Sequence, residues 1–282
     1  MRRWLVRLLF SILSIYFALV VYIYGTQKSL IFHPTSEGPR TPRDFGLSYE
    51  DLSFPSFDKV KLHGWFIPKT DYAVQQERRS LVYCHGNAAS LSSLAHVTKI
   101  FHDYGFETIF YSYRNYGASE SGELAELNII GDAVAAYDLI KAKRPGQRIF
   151  AWGHSLGASV CAGLALQRPF DGVILEAPFY SIPSMAQFKY PWAPIFPSLI
   201  FDQMPTGYFV QHRMQEAPLL VVHSKQDGII PFAEGEKVFR AATEPKQFEP
   251  LDGIDHNDFP SVSDLYKDKI LQWVASTTKS PL

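Results

Sequence analysis

Five residues near the middle of the chain, Gly153-His154-Ser155-Leu156-Gly157, have the G-x-S-x-G spacing of a nucleophile elbow. The spacing matters because a strand must turn sharply into a helix for a serine hydroxyl to stand clear of both. Glycines on either side remove the side chains that would block that turn. The flanks agree: Ile149-Phe150-Ala151-Trp152 reads as a strand, and an Ala/Leu-rich run at 156–167 reads as the helix. Ser155 is therefore the expected nucleophile.

A serine hydroxyl is a weak nucleophile until a base removes its proton. The elbow pattern expects that base late in the chain, after an acid. Of nine histidines, only His256 falls in the loop between the last expected strand and the last expected helix. His223 ends a strand, His212 is isolated, and His154 adjoins the serine, so its ring is expected to point elsewhere. The expected acid is Asp227, which follows a strand and stands between Ser155 and His256 in chain order; Asp252 and Asp255 are the alternatives. Acyl transfer also needs two backbone N–H groups aimed at the developing oxyanion. One is expected from Leu156, the other from Asn87 in His85-Gly86-Asn87-Ala88-Ala89. His85 is expected to bond within that loop and shape it. No companion histidine or cysteine stands at metal-ligand spacing from His85, so it is not expected to bind a metal. Cys84 and Cys161 fall in a buried strand and helix and read as core residues.

The elements that must carry these groups are short β-rich runs alternating with helix-length runs. Strands are expected at 47–54, 61–66, 80–84, 107–111, 149–152, 172–176, 219–223 and 247–251. Helices are expected at 92–104, 128–144, 156–167, 232–241 and 262–275. The first two strands alternate apolar and polar residues and suit an antiparallel hairpin. Runs such as Leu219-Leu220-Val221-Val222 are continuously apolar, as strands buried on both faces of a parallel sheet are. Residues 178–217 break the rhythm with prolines and aromatics, and read as a lid in which Trp192, Phe196 and Phe201 are candidates for substrate contact, the alternative being a structural excursion packed on the core.

Residues 1–26 read as a separate element, an uncleaved membrane anchor with a cleaved signal peptide as the alternative, and the enzyme domain as 27–282. Arg2, Arg3 and Arg7 precede an uncharged apolar run at 8–24, and no small-x-small cleavage site follows. Those arginines favour a cytoplasmic N-terminus, which places the remaining domain on the non-cytoplasmic side; Lys28 alone opposes them. The 282 residues are 46% hydrophobic and 20% charged, which excludes general disorder. With 27 Lys+Arg against 28 Asp+Glu, the chain lacks the basic excess of a nucleic-acid binder.

Five segments together resemble the α/β-hydrolase superfamily, more narrowly the membrane-anchored ABHD-type serine hydrolases and their bacterial relatives. His85-Gly86-Asn87-Ala88 matches the HGNA loop, and Tyr113 to Gly122 matches the YRGYGxSxG loop. The elbow around Ser155, Asp227-Gly228-Ile229-Ile230-Pro231 and His256-Asn257-Asp258-Phe259 follow in family order. Asn115 stands where the family usually has glycine, and Ser224 where it often has HG. The resemblance implies a mostly parallel eight-stranded sheet flanked by helices. It also implies hydrolysis of esters or thioesters, often of fatty-acyl groups, without a cofactor. The expected partners are a small-molecule or lipid acyl substrate and the membrane. An anchored serine peptidase and a non-catalytic binding protein on the same scaffold are the alternative readings.

Overall fold

The computed structural model describes residues 2–69, 77–193, 195–214, 217–258 and 263–277. Its strands are β1 (Glu50–Pro55), β2 (Lys61–Ile67), β3 (Arg79–Cys84), β4 (Phe106–Tyr111), β5 (Arg148–His154), β6 (Gly172–Glu176), β7 (Leu219–Ser224) and β8 (Lys246–Leu251). They form one sheet in the order β1-β2-β4-β3-β5-β6-β7-β8. β2 pairs antiparallel with β1 and with β4, and every other neighbouring pair is parallel. Eight strands stand where the apolar runs predict them.

The helices are α1 (Arg2–Ile31), α2 (Ala95–Asp103), α3 (Glu126–Lys143), α4 (Leu156–Ala165), α5 (Ile182–Lys189), α6 (Thr206–Gln211), α7 (Phe232–Ala241) and α8 (Ser263–Ser276). Alternate residues of each central strand feed two cores. Val82, Ala151, Val173 and Val221 pack with α3, α4, α6 and α7 on one face. Leu81, Phe150, Ile174 and Leu220 pack with Phe101 of α2 and Ile270 of α8 on the other. Removing each Val, Leu, Ile or Phe among them from water contributes roughly 1.5–3 kcal/mol, so both faces of these strands are held by burial.

α5 and α6 lie in the proline-rich segment, where no helix is expected from the pattern. Pro183 sits at the start of α5, where its missing N–H costs nothing, and Ser181 caps that end by accepting from Ser184 N. Phe209 and Val210 of α6 are buried in the main core, so the later part of this segment belongs to the body of the fold.

α1 is the one helix among the described residues long and apolar enough to cross a membrane. At 30 residues it is about 45 Å long. It passes through residue 26, the expected boundary, and continues unbroken to Ile31. The reason is local: Gln27 is buried, donating from Nε2 to Tyr24 O at 2.9 Å and accepting from Phe201 N at 2.9 Å.

Cys84 and Cys161 are core residues, as the sequence predicts, but that reading misses a bond between them. Both are buried, and they are joined in a disulfide, with Cα atoms 6.1 Å apart. Gly157 makes the approach possible. A Cβ there would lie 2.0 Å from Cys84 O, so only glycine lets α4 pack this closely on the end of β3.

Candidate active site

The parallel strands carry their following loops to one edge of the sheet. Ser155 follows β5, and Asp227 follows β7. His256 follows β8, and the His85–Asn87 loop follows β3. Ser155 has φ 55° and ψ −118°, a left-handed conformation that costs energy for any residue with a Cβ. Such strain is what a sharp strand-to-helix turn demands. A Cβ on Gly153 would sit 2.2 Å from the backbone oxygen of Gly157, so position 153 must be glycine for the turn to close. Leu156 opens α4, where its N–H lies at the positive end of the helix dipole.

Asp227 and His256 meet directly. His256 Nδ1 lies 2.7 Å from Asp227 Oδ2, and both side chains are almost fully buried. Asp227 Oδ1 accepts from the backbone of Ile229 at 2.9 Å and of Ile230 at 2.8 Å. Burial alone would raise this carboxyl, but the His223 and His256 hydrogen bonds prevail and hold it well below the usual carboxylate range. The two alternatives are engaged elsewhere. Asp252 pairs with Lys225 at 3.0 Å, and Asp255 Oδ1 accepts from Gly228 N and His256 N. Ser224 takes part in the same junction: its hydroxyl donates to Ile254 O and accepts from Gln226 N. It thereby ties the acid loop to the loop of His256.

The His85–Asn87 loop lies against the nucleophile. A Cβ on Gly86 would come within 3.0 Å of the His154 ring and 3.5 Å of Ser155 Cβ. His85 is buried, stacks on Tyr113 at 4.1 Å and donates from Nδ1 to Gly86 O at 2.8 Å, so it shapes its own loop as expected. Burial pushes it down to about 4. The side chain of Asn87 has a second job. Its Oδ1 accepts from His33 N at 2.9 Å and from Tyr116 OH at 2.8 Å, while Nδ2 donates to Ile31 O at 2.7 Å. One amide thus joins this loop to the end of α1. Asn115, the family departure, holds φ 68° and donates from Nδ2 to Gly122 O at 2.8 Å, which secures the left-handed turn without glycine.

Four neighbours of the Asp227–His256 pair and the elbow escape sequence reasoning. The His154 ring does not point elsewhere: it lies 4.9 Å from the His256 ring, because the last residue of β5 faces the loop after β8. Burial, then the neighbouring His256, push it down to about 3, so it is neutral. Behind it, Glu176 Oε2 is 3.8 Å from His154 Nδ1, and Tyr266 OH donates to Glu176 Oε1. Burial pushes this carboxyl up to about 7. His223 donates from Nε2 to Ile230 O at 3.0 Å and lies 3.5 Å from Asp227. Only the register His154–Glu176 between β5 and β6 could have pointed to that pair.

The lid candidates Trp192, Phe196 and Phe201 are all exposed, and Phe259 of the family ending lies outside the described residues. Among the described residues, no cluster of three or more His, Cys, Asp or Glu side chains could hold a metal. A cleft of about 440 Å³ lined by Phe170, Pro218 and Trp273 lies at the opposite edge of the sheet, away from Ser155.

This architecture has known counterparts. The family described as serine aminopeptidase, S33, matches residues 75–206. An uncharacterised protein of Mycobacterium tuberculosis is 31% identical over 242 residues, covering 85% of this chain and 83% of its own. The lysophosphatidylserine lipase ABHD12 of Macaca fascicularis is 27% identical, over 86% of this chain and 71% of its own. A Pyrococcus furiosus esterase superposes with a TM-score of 0.69 at 17% identity, over 87% of this chain and 98% of that one. The chain belongs to the α/β-hydrolase superfamily, and its relatives include proteins of the ABHD type.

Proposed function

We propose that the protein is a serine hydrolase that cleaves carboxylic ester or thioester bonds of acyl, lipid-like substrates through a covalent acyl-enzyme. The observation that carries this reading is the buried 2.7 Å contact between Asp227 and His256, on the same sheet edge as the strained Ser155. The Ser155 hydroxyl attacks the acyl carbonyl while His256 Nε2 takes its proton. Asp227 holds Nδ1–H, fixing the tautomer and stabilising the imidazolium. The N–H groups of Leu156 and Asn87 bind the oxyanion. The imidazolium returns its proton to the leaving alcohol or thiol. Water, deprotonated by the same ring, then attacks the acyl-serine and releases the acid.

The apolar α1 supports a substrate with an acyl chain, as does the lipase name of the ABHD12 relative. We place the domain on the non-cytoplasmic side, a reading supported by the arginines before the span and by the Cys84–Cys161 disulfide, a bond that persists in oxidising compartments. Protease added outside sealed inverted vesicles should leave the domain intact; digestion would reverse the orientation. The match to a serine aminopeptidase family supports peptide cleavage as the second reading.

The test uses a fluorophosphonate probe. Wild-type protein should be labelled and folded Ser155→Ala should not; equal labelling of both would move the nucleophile to another residue, and no labelling of either would favour a binding protein. Rates across esters and thioesters of rising acyl length, beside aminoacyl amides, separate the two catalytic readings. Faster turnover of the amides would decide for the peptidase.

A further inference from the structure

Between Arg7 and Lys28 the helix α1 carries no charge. Residues 8–27 number 20, or about 30 Å of helix, the thickness of a hydrocarbon core. A bilayer crossed by α1 therefore ends near Tyr24 and Gln27. Those two residues are where the lid is attached. Tyr24 OH donates to Phe196 O at 3.2 Å and its ring lies 6.4 Å from that of Phe196. Gln27 holds Phe201 N at 2.9 Å. The stripe Val20, Ile23, Tyr24 and Gln27 follows the i, i+3, i+4, i+7 spacing of one helix face, and each member is at least partly covered.

The lid thus sits at the height of the bilayer boundary, and it is apolar on its outside. Trp192 is 69% exposed and Phe201 77% exposed, with Phe188, Phe196 and Leu199 also exposed. Surfaces of this kind need an apolar partner. A tryptophan beside a lipid headgroup layer keeps its ring in apolar surroundings and its N–H in polar ones.

We propose that residues 188–201 form a second membrane-contact element, whose aromatic side chains enter the interfacial layer of the bilayer that α1 crosses. The occupant is the lipid surface itself. Continuity with α1 decides this over a second copy of the chain, because the same segment is hydrogen-bonded to the end of the spanning helix. The consequence reaches the site. The lid leaves the sheet just beyond β6, whose last residue Glu176 pairs in register with His154 beside Ser155. An acyl chain lifted from the bilayer at the lid would have a short path to the elbow. This proposal rests on the membrane-anchor reading of α1, and the experiment separates the two.

The full chain has five tryptophans, of which Trp65, Trp152 and Trp273 are buried in the core, while Trp4 lies near the far end of α1. The chain is reconstituted in phosphatidylcholine vesicles, with or without lipid brominated at carbons near the headgroup end of the acyl chain. Bromine quenches tryptophan on contact. Trp4→Phe protein should lose emission in brominated vesicles through Trp192, and the Trp4→Phe/Trp192→Phe double variant should not. Trp192→Phe protein, which keeps Trp4, reports α1 alone. Quenching of Trp192→Phe without quenching of Trp4→Phe would overturn the lid proposal and leave the anchor standing, whether solvent or a second copy covers the lid. No quenching in either single variant would overturn both. Fluorophosphonate labelling of each variant verifies that the fold is intact.

Discussion

The Asp227–His256 pair and the His85–Asn87 loop, the proposed acid–base arm and oxyanion loop, lie at the same sheet edge but are held in different ways. Asp227 and His256 are secured by their own neighbourhood: Ile229, Ile230, His223, and the Ser224 hydroxyl linking the two loops. The oxyanion loop is secured from afar. Tyr113 OH donates to His85 O at 2.9 Å, Tyr116 OH reaches Asn87, and Ile31 and His33 reach it from the end of α1. The first arm should respond only to changes made within it. The second should respond to changes at the end of α1.

The largest effect should come from inside the acid–base arm. Asp227→Asn should keep the contacts but favour the wrong tautomer, lowering kcat by roughly ten-thousand-fold. Damage from Asp252→Asn or Asp255→Asn in its place would mean that the arm is organised around another carboxylate. Next comes the oxyanion loop. Asn87→Ala keeps the backbone N–H but removes the tie to Ile31, His33 and Tyr116. Loss of one oxyanion donor costs about a hundred- to a thousandfold, so displacing one should lower kcat by about ten- to a hundredfold. KM for a short soluble ester should hold, and a matching rise in KM would mean that the loop shapes binding instead.

Truncation divides the two arms more finely. Removing residues 1–26 leaves Ile31, His33 and their bonds to Asn87 in place. That protein should keep its rate on soluble esters and lose much more on bilayer-embedded acyl substrates, where the anchor supplies effective concentration. Removing residues 1–33 should also lower kcat on soluble esters. Equal soluble rates for the two truncations would make the Asn87 tie dispensable.

The smallest effect belongs to Glu176 and concerns stability. Its carboxyl stands at about 7 in the fold against an ordinary 4.5. Between those values the folded state binds the proton and the unfolded state has lost it, so stability falls as pH rises through this window. The full difference is roughly 3 kcal/mol. Glu176→Gln should flatten that slope in denaturant titrations at pH 5 and pH 7.5. An unchanged slope would place its origin in another group.

Much of this was legible because the informative signals are local. A strand buried on both faces must be continuously apolar, so β3 to β7 could be read directly. The order of elbow, acid and histidine needed only the chain. What was hidden depends on contacts between distant segments. The Cys84–Cys161 bond spans 77 residues and relies on Gly157 being bare. The position of His154 depends on which loop the neighbouring strands bring overhead. The end of α1 was obscured by Gln27, Lys28 and Ser29, polar residues that close an apolar run but do not stop a helix. The lid helices were obscured by prolines, which break a helix interior but open a first turn readily.

The continuity of α1 into the domain has a mechanical meaning. A protein tethered by a loose chain can tumble, and can reach a second membrane or a passing particle. Here the helix enters the domain without a swivel and is fastened at Tyr24, Gln27 and Ile31. With α1 in a bilayer, as proposed, the domain can spin about the membrane normal but cannot turn over. The proposed nucleophile then always meets one leaflet of one membrane, and turnover should scale with the substrate's concentration per unit area of that leaflet, not with its concentration in the surrounding water.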